Sequence, residues 1–164
     1  MEYREEMYRV IDRYFTEIIM NYGKTNSEAM QTVKKFQPFR KKNYDSFIAR
    51  YEIHKKQAEL LTMGSIIVPN HDEMARKLKD AYDQSRKTFM RLCQRNIEFF
   101  TMQNKKVHRE ELSVKEFREV SSGLQLTMNS ARRDMDLLEE IYRAMREVGA
   151  EDDNTEKRET FGTN

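Results

Sequence analysis

A single cysteine, Cys93, stands in the whole chain, so no internal disulfide frames the fold and no cysteine-based zinc site is available. Two prolines and five glycines in 164 residues exclude a collagen-like or low-complexity chain. No stretch approaches the ~18 consecutive apolar residues that span a bilayer, and the start, Met1-Glu2-Tyr3-Arg4-Glu5-Glu6, lacks the basic and then apolar layout of a signal peptide. The expectation is a cytoplasmic protein with no membrane partner. The three histidines, His54, His71 and His108, are far apart, and no pair of Glu-x-x-His motifs offers a di-iron site. Phosphate-binding loops, nucleophile elbows and H-E-x-x-H are missing as well. No catalytic, cofactor-binding or metal-ligating residue is assigned.

What is present is charge and large apolar side chains in equal measure. Thirty Lys and Arg nearly balance 28 Asp and Glu, while 9 Phe, 8 Tyr and 11 Met are too many for a fully disordered chain. Glycine and proline fall mostly between apolar-periodic segments, which is the punctuation of a helical protein. Residues 2 to 22 place Tyr3, Met7, Val10/Ile11, Tyr14/Phe15, Ile18/Ile19 and Tyr22 on one stripe and are expected to stop at Gly23. Thr25 and Ser27 with Glu28 predict a short separate helix over 27–36, ended by Pro38. A second long helix runs from about Asn43 and stops at Met63-Gly64, with Tyr44, Phe47/Ile48, Tyr51, His54, Ala58 and Leu61 on its apolar side. Ser65 to Pro69 reads as extended, its Ile66, Ile67 and Val68 tucked under the bundle end.

Asn70 and Glu73 have capping-box spacing and open a third helix to about Arg109. Its core positions recur every eleven residues, Leu78 to Phe89 to Phe100 and Tyr82 to Cys93, the period of a nearly straight helix. Ser113 with Glu116 caps a fourth helix, whose seam is Val114, Phe117, Ser121, Leu124, Met128, Ala131, Met135, Leu138, Tyr142 and Met145. The short connection makes these two helices antiparallel neighbours, with facing positions that add to about 222. The predicted fold is therefore all-α: an antiparallel bundle of four main helices and one short extra helix. The second helix is expected to reach only to about residue 92 of the third, leaving the third/fourth hairpin to project beyond it. Residues 1–148 form the single domain, and 149–164, with five acids against two bases, a disordered acidic tail.

Two places carry interaction signals. From Val120 to Ala131 the chain has no charge, in a sequence that is 35% charged, and it has a glycine in mid-helix. The 222 rule sets Gly123 near Phe99 on the facing helix, where Ile97 to Asn104 holds only Glu98 for charge. This gives a candidate protein-binding face of Phe99, Phe100, Met102, Ser122, Gly123, Gln125, Leu126 and Asn129, covered either by a second chain or by the protein's own 27–36 helix. The second place is basic and aromatic: Lys34, Lys35, Phe36, Phe39, Arg40, Lys41, Lys42 and Tyr44. Cations for phosphates and aromatics for stacking suit single-stranded nucleic acid. Arg91, Arg95, Lys105 and Lys106 extend the patch if the linker faces them. The plainer reading is a solvated linker anchored by its two phenylalanines, because a net charge of +2 makes a weak field.

These signals rank three functions. The first is a non-enzymatic protein-protein interaction module, an adaptor, chaperone or assembly factor, self-associating as a homodimer through the uncharged face. The second is a small nucleic-acid-binding protein using residues 34–44. The third is a helical enzyme whose active site leaves no short motif. Cys93 and His54 read as buried members of their stripes, and the methionines as adaptable core filling.

Overall fold

A computed structural model of the chain describes residues 1–35, 43–107 and 111–161, with side chains through Arg158. Every described element is helical. Helix α1 (Glu2–Arg13), a π-helical stretch (Tyr14–Ile19) and α2 (Met20–Lys34) join end to end into one rod. α3 (Asp45–Leu60), α4 (Glu73–Val107) and α5 (Val114–Phe161) follow. α4 is central: α5 and α3 each pack antiparallel along it, and the rod lies across α3 and α4. The all-α architecture expected from the periodicity is the one observed.

The rod corrects the expected break at Gly23. Met7, Ile11, Tyr14 and Ile18 are buried, and the same steps of four and three lead on through half-buried Tyr22 to buried Thr25 and Ala29. Thr25 does not cap a new helix, since its hydroxyl meets His54 Nε2 at 2.7 Å inside the protein. Tyr51 donates to Asn26 Oδ1 at 3.1 Å, and Arg50 pairs with Glu28 at 2.5 Å. These contacts hold α2 against α3. They offset the ~1 kcal/mol that a mid-helix glycine costs relative to alanine.

The start of α4 is also set by tertiary structure. Its cap is Asp72 rather than Asn70: Oδ1 accepts the Ala75 amide at 3.1 Å. The same carboxylate takes a two-pronged contact from Arg4 at 2.7 Å to each oxygen and the Tyr3 hydroxyl at 2.6 Å. Arg4 foremost, then the Tyr3 and Ala75 bonds, hold the Asp72 carboxyl well below the usual carboxylate range, against the opposing effect of burial. One residue thus caps α4 and pins the start of α1.

Along α4 the eleven-residue stripe is buried as expected at Leu78, Tyr82, Phe89, Cys93 and Phe100. Thr88 contacts Asp134 and Lys105 reaches Glu116 at 3.4 Å, so the α4/α5 register matches the expected sum near 222. The α3 register does not match. Tyr44 N donates to Asn104 Oδ1 at 2.9 Å and Lys55 to Gln94 at 3.0 Å, so α3 covers α4 as far as Asn104, not 92. The reason is the connector. It doubles back along the first turns of α4, with Lys79 donating to the Ile66 carbonyl at 2.9 Å and Tyr82 to that of Leu61. The end of α3 therefore lies well along α4, with Arg86 at the Ala58 and Glu59 carbonyls, rather than beside residue 73. In that connector Ile66 is buried and Val68 half-buried, but Ile67 is 86% exposed, so only two of the three residues are tucked in.

α5 is held by a narrow seam. Leu124, Ala131, Leu138 and Met145, seven residues apart, are buried, with Met128, Met135 and Tyr142 half-buried between them. Val114 and Phe117, expected on the seam, are exposed. Tyr142 and Arg146 tie the lower part of α5 to α1, through the Asp12 carboxylate and the Tyr8 ring. The packed seam ends at Met145. Beyond it α5 runs on to Phe161, every described side chain from Arg146 to Arg158 being exposed.

Candidate functional site

The uncharged stretch 120–131 lies wholly on α5, and helix rotation divides it in two. Leu124 and Ala131 turn toward α4, where they cluster with Leu92 and the partly buried Tyr22, Phe99, Met128 and Met135. Ser122, Gln125, Leu126 and Asn129 turn to solvent. Leu126 is 67% exposed, uncommon for so large an apolar side chain in mid-helix. The same face carries Leu137 and Val148, 49% and 56% exposed, eleven and twenty-two positions further on. Neither was singled out from the sequence. The eleven-residue recurrence from Leu126 was the signal that marks them, as it does the α4 core.

The hydroxyls on and beside this face are already bonded to their own helix. Ser122 donates to the Arg118 carbonyl at 2.6 Å, Thr127 to that of Gly123 at 2.8 Å and Ser130 to that of Leu126 at 3.1 Å. Gln125 donates to Asn129 at 3.2 Å. Hydroxyls turned back onto their own helix leave methylene and methyl surface outward. Covering them strands no donor, which lowers the desolvation cost of docking.

The other residues expected at a partner surface are placed differently. Phe100 is at the centre of an aromatic cluster, stacked on Tyr51 at 5.7 Å between ring centres and beside Tyr44 at 5.4 Å, Phe47 at 6.2 Å and Phe99 at 5.2 Å. Met102 is buried and Phe99 half-buried. None of these three presents a free face. The position of a Gly123 Cβ is 3.8 Å from the Arg95 guanidinium, an ordinary contact, rather than against Phe99. No close backbone or ring approach requires glycine there. α2, the expected self-cover, covers the Phe99 and Phe100 part of this set through Ala29, Met30 and Val33 and leaves Ser122, Gln125, Leu126 and Asn129 exposed.

Of the basic and aromatic set, Lys34 and Lys35 are exposed at the end of α2, while Phe36, Phe39, Arg40, Lys41 and Lys42 lie outside the described residues. Tyr44 is buried on Phe100 and has no ring face to offer a base. Arg95 and Lys105 face α5, over Gly123 and against Glu116, and Arg95 pairs with Glu98 at 3.0 Å, so they do not extend the patch.

The chain matches no family model, no curated protein and no solved structure. The local chemistry is therefore all that speaks. Among the described residues no group of three or more His, Cys, Asp and Glu side chains could hold a metal, and no helix is long and apolar enough to cross a membrane. Cys93 is buried and burial pushes its thiol up to about 12, so it is almost wholly protonated at neutral pH. His54, bonded to Thr25, has its pKa lowered chiefly by burial, which keeps the ring neutral. A cleft of about 420 Å³ between α1 and α5 is lined by Arg4, Tyr8 and Arg146 among others. Its cations have structural partners: Arg4 holds Asp72, and Arg146 stacks over Tyr8 and Tyr142.

Proposed function

We propose that the protein is a non-enzymatic helical interaction module of the cytosol, an adaptor, chaperone or assembly factor, and that it binds a protein partner through the outer face of α5. The observation that carries this reading is the solvent-facing apolar line of Leu126, Leu137 and Val148 on the side of α5 away from α4. Ile53 on α3, also exposed, stands singly among charges, which is ordinary for a protein surface. On α5 the apolar residues are aligned, and the hydroxyls between them are internally bonded. A nucleic-acid role has less support, because Tyr44 is withdrawn into the core and Arg95 and Lys105 are engaged with acids.

Site-specific photo-crosslinking tests the reading. A photoreactive side chain at Leu126, in cells producing the protein, is expected to give discrete protein adducts that Leu137→Glu removes. The same probe at Ile53 is expected to give none. Adducts equal at the two positions, or absent from Leu126, would overturn the proposal.

A further inference from the structure

The outer face of α5 is built to meet its own copy. Its line runs Leu126, Ser130, Arg133, Leu137, Ile141, Ala144, Val148, at steps of four, three and four repeated twice. Such spacing keeps one straight line along a helix over ~33 Å. Reversed about Leu137, the line largely reproduces its own chemistry, the exception being Arg133 opposite Ile141, which is itself partly buried against the core. Leu126 falls opposite Val148, Ser130 opposite Ala144, and Leu137 opposite itself: large apolar meets large apolar, and small meets small. Charge follows the same order. Arg133 and Glu140 lie on the same flank of the line and fall opposite each other on reversal, within one residue. In antiparallel helices the same flanks face each other, so each copy's arginine meets the other's glutamate, twice over.

Both groups are available. Arg133 and Glu140 are exposed and form no ion pair with a described residue, whereas their neighbours Glu139 and Arg143 pair at 2.5 Å. Two turns separate Arg133 from Glu140, too far for a contact within one helix. A parallel pairing would instead bring opposite flanks together, so Arg133 and Glu140, on one flank, would not meet. α2 and α3 pack on the other side of α4, and α1 meets α5 at Tyr142 and Arg146, leaving Leu126, Leu137 and Val148 exposed.

We propose that two copies of the chain dimerise by packing α5 antiparallel on α5 across a two-fold axis at Leu137, with Arg133 of each copy paired to Glu140 of the other. The proposal rests on the reading of this face as the interaction surface and names the occupant. It is an isologous interface, closed at two copies. Asp136 flanks the axis and approaches its own copy, a repulsion that Arg133 of the other copy offsets.

Sedimentation equilibrium of the full chain is the first arm, and a monomer-dimer equilibrium is expected. Arg133→Glu and Glu140→Arg are each expected to weaken it about tenfold or more, and the double exchange to restore it to within about threefold of wild type. Only a contact between copies allows that restoration. Mild oxidation is the second arm. Leu137→Cys is expected to link to itself, and Leu126→Cys to link to Val148→Cys when the two variants are mixed but not to itself, with Cys93 too buried to interfere. Circular dichroism checks that each variant folds. A wild type that stays monomeric at several hundred micromolar overturns the dimer, while photo-adducts from Leu126 to another protein would leave the interaction reading standing. A dimer in which Leu126→Cys links to itself, or in which the charge exchange fails to restore association, overturns the antiparallel register.

Discussion

α3 and α5 both pack antiparallel on α4, yet they are bonded to it in opposite styles. α3 brings Tyr44, Phe47 and Tyr51 onto Phe100, sends Lys55 to Gln94, and is itself covered by α2 through Thr25, Asn26 and Glu28. α5 has one buried residue every two turns, and beyond α4 its described contacts are with α1 at Tyr142 and Arg146. One flank of α4 is sealed from both directions, and the other is a single layer with an apolar line left outside. The proposed binding face lies on the second.

The sharpest way to break that contrast is to damage each flank in turn. Phe100→Ala opens a cavity in the aromatic cluster and is expected to cost about 3–5 kcal/mol in denaturant unfolding. Asp72→Ala removes a cap and leaves Arg4 without its acid, an expected loss of about 3 kcal/mol. Two buried titratable groups add a response to acid. Burial lowers the His54 pKa, so below ~6.5 the unfolded chain takes up a proton that the folded chain refuses, and stability falls as pH drops. His54→Gln should flatten that limb. The Asp72 carboxyl, held low by Arg4, adds a second loss that begins as pH falls below ~4 and is absent from Asp72→Asn.

Smaller effects sharpen the other side. Gly23 and Gly123 sit in helix interiors with room for a methyl, so Gly23→Ala and Gly123→Ala are each expected to gain up to about 1 kcal/mol. Ser121, half-buried on the α5 seam, has a buried hydroxyl with no hydrogen-bond partner among the described residues, and Ser121→Ala should stabilise by about 0.5 kcal/mol or more. Leu126→Ala, on the outer face, should change monomer stability by less than about 0.5 kcal/mol.

The parts of the fold that the sequence announces are those written in one dimension. The eleven-residue stripe of α4, the seven-residue seam from Leu124 to Met145 and the Ser113 cap depend only on spacing along a helix, and the structure has them. What spacing cannot carry is a partner from elsewhere in the chain. Gly23 looks like a helix end until Thr25 finds His54. Asn70 looks like a cap until Arg4 and Tyr3 select Asp72. The α3 register depends on a connector that doubles back, which no local pattern encodes. The candidate face was legible in the same partial way. The absence of charge over 120–131 is visible in the sequence, but which residues turn outward follows from the rotation of α5 against α4. That rotation sets Ser122, Gln125, Leu126 and Asn129 outside, and Phe100 and Met102 within.

The central claim is that the outer face of α5 serves association and not the fold of the single chain. Thermal unfolding of the Leu126→Glu/Leu137→Glu double variant, followed by circular dichroism over a range of protein concentrations, tests it most directly. The expected result is a midpoint equal to that of dilute wild type, with the concentration dependence of wild type abolished. A loss of several kcal/mol at every concentration, like that of Phe100→Ala, would show this face to be part of the folded core and would contradict the account.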